Sequence, residues 1–337
     1  MRSRIAFLIL IFSIINQCLS FDTYSFLFNH CISKRGIPSF LTCSNFKFDS
    51  REIHEIQNSD FQISNDDFIQ FEMCDPGIVN ENFFDKFPNA FSITFENCDL
   101  SLKSSKSSTS NRRLRLASLH IHNSRVTDNK DSNALKFLPE LKKLSLKKLR
   151  LENKEFDTKL FRRLYNLTNF ECYDCGIEKI KDGGFDDFEK VEFFSIYDTK
   201  VDRLPHNLLS RMDRLKMFEF YGNDLTEIPK DLLPTSVVSI NFGRNFIRKL
   251  DKNQFKGLNN LETLLLDNNL IEKIDKKAFK HVENIQILKL NNNKIKRLDL
   301  RVFGYLDNLR ELDLRGNDLR FHRHDFDELS SGVNVHV

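Results

Sequence analysis

The stretch LETLLLDNNLIEKIDKKAFK, residues 261–280, is followed by IQILKLNNNKIKRLDLRVFG, residues 285–304. Leu261, Leu264, Leu266, Asn269, Ile271, Ile274 and Phe279 recur 24 positions later as Ile285, Leu288, Leu290, Asn293, Ile295, Leu298 and Phe303. A further 24 residues on stand Leu309, Leu312, Leu314, Asn317 and Leu319, and Val237, Ile240, Phe242, Asn245, Ile247, Leu250 and Phe255 precede them at the same spacing. Leu215, Phe218, Phe220, Asn223, Leu225 and Ile228 belong to a shorter repeat of 22. Alternation of the apolar residues at the fourth and sixth positions is the period of a strand with one face turned inward. The Asn then meets a bend whose backbone groups would otherwise be buried without partners. One such unit cannot cover its own apolar face, so the units must stack.

This register makes more divergent repeats readable. Val191, Phe194 and Ile196 precede Thr199 at the Asn position; Leu167, Phe170 and Cys172 precede Cys175; Leu141, Leu144 and Leu146 precede Leu149. Leu116, Leu119 and Ile121 lead to Ser124, Ile93 and Phe95 to Cys98, and Ile69 and Phe71 to Cys74. The pattern resembles the leucine-rich-repeat family, L-x-x-L-x-L-x-x-N-x-L with a Phe near the outer turn. The resemblance covers residues 66–329 as about eleven repeats. It implies an α/β solenoid, a horseshoe with a parallel concave sheet, short helical or irregular convex segments and an N-terminal cap. Residues 1–20 read as a signal peptide, 21–65 as the cap and 330–337 as a C-terminal edge strand or tail.

The leader reading rests on Arg2 and Arg4 before the apolar run Ile5 to Ile15, with Cys18 and Ser20 before the cut. That run is shorter than the roughly 20 residues of a membrane span. Its removal takes the net charge from +3 to +1. A balance so near neutrality argues against a dedicated nucleic-acid binder. Six cysteines then remain: Cys31, Cys43, Cys74, Cys98, Cys172 and Cys175. An even count suits an oxidising compartment, and the sequence leaves their pairing open. Cys31 with Cys43 suggests a cap disulfide. Cys74 and Cys98 occupy one position in adjacent turns, within bridging range or free. Cys172 and Cys175 form a C-x-x-C at inward positions, which reads as buried structural sulfur, not as redox or zinc chemistry.

No hydrolase or phosphate-loop motif occurs, and neither a catalytic set nor a cofactor is assigned. His120 and His122 share one strand face with Glu96 one repeat earlier, a trio that could be imagined around zinc. The plainer reading is surface histidine, and no metal is assigned; His322 and His324 have no evident partner. Asn166-Leu-Thr168 is a glycosylation sequon. The polar run 101–113 reads as a loop.

Binding is expected on the outward residues of the concave strands. One column reads Glu72, Glu96, His122, Lys147, Tyr173, Tyr197, Tyr221, Gly243, Asp267, Asn291, Arg315. It places three of the chain's six tyrosines in consecutive repeats. Phe193, Met217, Glu171, Glu219 and Asp198 lie alongside, with Asp174, and together they form the candidate ligand surface. A ladder that only stiffens the sheet is the competing reading. Lys142, Lys143, Lys147 and Lys148 form a neighbouring basic strip, suited to sulfated glycan, acidic protein or phospholipid, or simply solvated.

The chain is similar to secreted arthropod leucine-rich-repeat proteins: coil-less leucine-rich immune proteins, Toll ectodomains and connectin-like adhesion proteins. Leu225-Thr-Glu-Ile-Pro with Leu232, Leu233 and Pro234 also resembles repeats of small leucine-rich proteoglycans. These likenesses imply a secreted, non-enzymatic protein binding an extracellular protein or glycan in innate immunity or signalling. A matrix or adhesion scaffold is the alternative and a metal-dependent hydrolase a remote one. No nucleic-acid partner or membrane span is expected. Dimerisation, with itself or another chain, through the concave face or the open C-terminal edge is left open.

Overall fold

The computed structural model describes residues 24–27, 31–34, 40–48, 68–103, 114–127, 135–151, 154–156, 162–183, 185–320, 326, 329 and 332–337. The leader, Cys18, His322 and His324 lie outside them. One 15-stranded sheet runs through these residues. Tyr24–Leu27, Cys31–Lys34 and Phe40–Ser44 pair antiparallel at its start, and every later strand is parallel to its neighbour. Eleven strands from Phe68–Glu72 to Glu311–Asp313 supply one per repeat, and Asn334–His336 adds the last.

The register read from the regular repeats holds through the divergent ones. Ile69, Ile93, Leu119, Leu144, Phe170 and Phe194 stand opposite one another in sequence along the sheet. Their side chains are essentially inaccessible to water. Burying each contributes about 1.5–3 kcal/mol. Phenylalanine fills much of this interior, with Phe170–Phe194 centroids 5.2 Å apart and Phe194–Phe218 5.9 Å. On the returning side Phe255, Phe279 and Phe303 stack at 6.0 and 6.1 Å, the spine expected from their spacing.

In the regular repeats each bend is closed by an inward asparagine. Asn269 donates to the Phe242 carbonyl at 2.9 Å and accepts from the Ile247 N–H at 3.0 Å. Asn245, Asn293 and Asn317 repeat the arrangement. Ser124 is a shorter substitute, accepting from Cys98 N–H at 3.0 Å. Just outside the strands, Asp174, Asp198, Gly222, Arg244, Asn268, Asn292 and Gly316 all have left-handed backbones. The N–H of each such residue from Asp174 to Asn292 bonds the carbonyl of the preceding column in the next repeat, as Asp198 does to Tyr221 at 2.9 Å. Asn, Asp and Gly tolerate that conformation best. At Gly222 (φ +66°) a Cβ would also run into Asp198 Oδ1.

The convex side differs from the expected helical or irregular segments in its first repeats. Gly77–Val79, Asp99–Leu102, Arg125–Thr127 and Arg150–Leu151 form a second parallel sheet there. Val79, Leu100, Leu102 and Val126 turn inward and are buried, so strand pairing satisfies the return path. Ser101 and Leu102 therefore belong to a strand, and the polar run 101–113 leaves the sheet after Leu102; residues 104–113 lie outside the described set. Short helices Glu81–Phe84 and Leu300–Phe303 occupy other turns.

Cys31 and Cys43 face each other across an antiparallel pair and are bridged. Phe46 packs on Phe71 at 4.6 Å, and Phe48 fills the space over Gly77. Bridges also join Cys74 to Cys98 and Cys172 to Cys175. At the far end Val335 stands opposite Leu312, a step of 23, so the strand sits one residue earlier than the 24-residue step from Leu309 to Val333 would place it.

Candidate ligand-binding surface

The strand Asn169–Tyr173 pairs residue for residue with Phe193–Tyr197, which sets Tyr173 beside Tyr197. Their rings stack at 4.9 Å with planes 23° apart. The next strand, Met217–Glu219, places Met217 opposite Phe193 and Glu219 opposite Ser195. Phe193 stays 39% exposed, while Tyr173, Tyr197, Tyr221 and Met217 are half-buried. The three tyrosines are not equivalent. Tyr221 does not stack on Tyr197; the Arg244 guanidinium lies 5.3 Å from its ring centre, a cation–π contact. Gly243 makes room for it, since a Cβ there would meet Tyr221 Cδ2 at 3.1 Å.

Glu171 organises the other end. Its carboxylate accepts from Tyr197 Oη at 2.5 Å and Ser145 Oγ at 2.8 Å, and lies 3.0 Å from Lys147 Nζ. Burial alone would raise its pKa, but the bonds from Tyr197, Lys147 and Ser145 prevail and hold it below the usual carboxylate range. Burial and the adjoining Glu171 carboxylate push the Tyr197 phenol well above its ordinary value. Tyr197 is therefore fixed by its hydroxyl. Among the described residues the hydroxyls of Tyr173 and Tyr221 carry no bond, and exposed Asp198 and Asp174 form no ion pair. Glu219 accepts from Ser195 at 3.0 Å.

The basic strip is split by the strand that carries it. Lys142 and Lys143 lie at one end of Lys143–Lys147 and Lys147 and Lys148 at the other, with buried Ser145 between, and Lys147 is paired to Glu171. His122 approaches Glu96 at 3.5 Å and Ser145 Oγ at 3.3 Å. Burial, with help from His122 and Lys143, drops the His120 pKa to about 4. Among the described residues no three His, Cys, Asp or Glu side chains converge as a metal would need. Asn166 donates to the Pro139 carbonyl at 2.9 Å and accepts from Lys190 at 2.7 Å. Asn260, Asn284 and Asn308 tie neighbouring repeats in the same way, so this residue has a structural task apart from any glycan.

Sequence reasoning missed Arg244 and the left-handed row it belongs to. The signal was present, because Asn, Asp or Gly follows the tyrosine column in most repeats.

Two family models match: "Leucine rich repeat" over residues 259–319 and "BspA type Leucine rich repeat region (6 copies)" over 131–245. Together with the stacked parallel strands this decides the family. The chain is a leucine-rich-repeat protein. No curated protein matches it. Among solved structures, this leucine-rich-repeat chain is similar to TLR13 in a complex with ssRNA13, at 17% identity and a TM-score of 0.58, over 80% of this chain and 46% of that one. It is similar to the Toll–Spätzle complex of Drosophila at 15% identity and 0.50, over 86% and 45%. An internalin, InlF of Listeria monocytogenes, aligns at 16% identity and 0.43, over 88% and 86%. The chain thus spans less than half the length of the TLR13 and Toll chains. At these identities the likeness to TLR13 and Toll is one of fold.

Proposed function

We propose that this leucine-rich-repeat chain is a secreted, non-enzymatic binding protein that recognises an extracellular protein or glycan through the tyrosine-bearing part of its concave sheet, in innate-immune recognition or signalling. The observation that carries the proposal is the state of the tyrosines. Tyr173 is held by its stack on Tyr197 and Tyr221 by the Arg244 guanidinium, their hydroxyls are unpartnered among the described residues, and exposed Phe193 lies on the same face of the sheet. Rigid aromatic groups with polar tips bind at low entropic cost. Asp174 and Asp198, acidic and exposed, favour a partner that presents Lys or Arg.

Further support comes from the fold's other uses. TLR13 is seen in a complex with ssRNA13 and Toll in a complex with Spätzle, both on repeat scaffolds of this kind. The leader-like N-terminus and the three disulfide bridges suit an extracellular setting. Among the described residues no helix is long and apolar enough to cross a membrane.

The test is affinity capture from the source's extracellular fluid with the parent chain and with Tyr173→Ala/Tyr197→Ala/Tyr221→Ala. A specific ligand should bind the parent and lose at least about thirty-fold in affinity to the variant, the effect of one hot-spot residue. Equal binding by a folded variant rejects the surface.

A further inference from the structure

The returning face of the three repeats that follow Asn245 is strongly basic. Residues 246–257, 270–281 and 294–304 contain twelve Lys or Arg against four Asp or Glu, a net +8 in a chain whose total is +3. The remainder of the chain is therefore at −5. The same face of the preceding repeat, residues 222–233, has one Lys against three acids, so the charge is not a general property of the repeat.

The fold gathers these charges into rows. Lys249 stands opposite Lys273 in a parallel pair of returning strands, and the repeat carries the row on to Arg297. Lys252 and Lys276 form a second row, and Lys256 and Lys280 a third. Beneath them the rings of the phenylalanine spine stack at 6.0 and 6.1 Å from one repeat to the next. Among the described residues only two of the twelve cations are held in ion pairs, Lys249 with Asp251 and Arg301 with Asp299. Like charges so closely spaced, within a Debye length of about 8–10 Å, reinforce one another's field.

We propose that this face binds a sulfated polysaccharide laid across the three repeats. A linear polyanion matches rows of cations repeating at a fixed step. The face offers little else: Phe246, 46% exposed at its border, is its one large apolar side chain open to solvent among the described residues. A bilayer would need an apolar stripe to insert, and single-stranded nucleic acid a series of aromatic platforms. Nine of the twelve cations are Lys, point charges without the planar fork that reads phosphate bidentately. The choice among polyanions rests on the extracellular reading above; the charge array itself does not.

The experiment uses the full chain with heparin, with desulfated heparin, with phosphatidylserine vesicles and with a single-stranded oligonucleotide, each over a range of salt. Two charge-reversed variants are compared: Lys273→Glu/Lys276→Glu/Arg297→Glu on the returning face and Lys142→Glu/Lys143→Glu/Lys148→Glu on the concave strip. Unchanged circular dichroism and melting temperature establish that each is folded. Heparin should bind, weaken steeply with salt, and lose about a hundred-fold or more in affinity to the first variant. Desulfated heparin should bind far less. The second variant should stay within about three-fold of the parent. Equal heparin binding by the first variant and the parent, loss confined to the second variant, or tighter binding to vesicles or the oligonucleotide would overturn the proposal. None of these results depends on whether the tyrosine surface holds a ligand.

Discussion

Tyr197 donates its hydroxyl proton to Glu171 on the adjacent strand at 2.5 Å, and this bond sets it apart from Tyr173 and Tyr221, whose hydroxyls carry no bond among the described residues. Tyr197→Phe should cost about 1–2 kcal/mol, as expected for a bond to a charged acceptor, and should raise the Glu171 pKa. Tyr173→Phe and Tyr221→Phe should leave stability within about 0.5 kcal/mol of the parent while weakening ligand binding. Urea unfolding of the three variants, set beside affinity for the captured ligand, checks the division. A Tyr197→Phe protein as stable as its parent would count against it.

The inward asparagines should be among the most sensitive positions in the chain. Asn269→Ala leaves the Ile247 N–H unmet in the interior and takes one of two donors from the Phe242 carbonyl, which keeps Asn245 at 3.0 Å, at about 1–3 kcal/mol for the unmet group. Ser124→Ala removes a smaller set of bonds and should cost less. Chemical denaturation of both variants measures the difference.

Gly222→Ala should destabilise by about 1–3 kcal/mol, because a left-handed backbone and a carboxylate both oppose the new methyl group. The double variant Gly222→Ala/Asp198→Gly keeps the backbone strain and removes the clash. It should recover part of the loss, which a double-mutant cycle read by thermal melting will resolve.

Acid should weaken the fold in two stages. His120 titrates near 4 in the folded chain because burial opposes its charged form, against 6.5 unfolded. Between those values the unfolded chain takes up a proton that the folded chain refuses, so stability falls as pH drops from about 6.5 towards 4. After allowance for solvent screening the loss is about 1 kcal/mol. Glu171, whose pKa is depressed by its hydrogen bonds, adds stability that is present above its unfolded value of 4.5 and disappears as pH falls through its lower folded value. His120→Asn should shrink the first stage, to which His122, lowered by the same burial, also contributes, and should leave the second. Melting temperatures between pH 7 and pH 3 separate them.

Repetition made most of this fold readable. Leu264, Leu288 and Leu312 announce their alignment by spacing alone, and Phe170 or Ile69 can be placed by extending that frame into repeats that have lost their Asn. What spacing cannot convey is local geometry. The column holding Tyr173, Tyr197 and Tyr221 is continuous in sequence, yet Tyr221 tilts over Gly243 towards Arg244 because a missing side chain one strand away leaves space for it. The second sheet was hidden for a related reason: residues such as Leu100 and Val126 look alike in sequence whether their backbone turns or extends. Pairing of Lys147 with Glu171 likewise depends on the register between the two strands that carry them, which composition does not reveal.

Asn269 reaches back 27 residues to one carbonyl and 22 to one N–H, and beyond its own coil each of Asn245, Asn293 and Asn317 likewise holds the coil just before. Such a chain has no keystone. Loosening at either end is passed inward one coil at a time, so the middle of the molecule, where the tyrosines sit, is the last part to come undone.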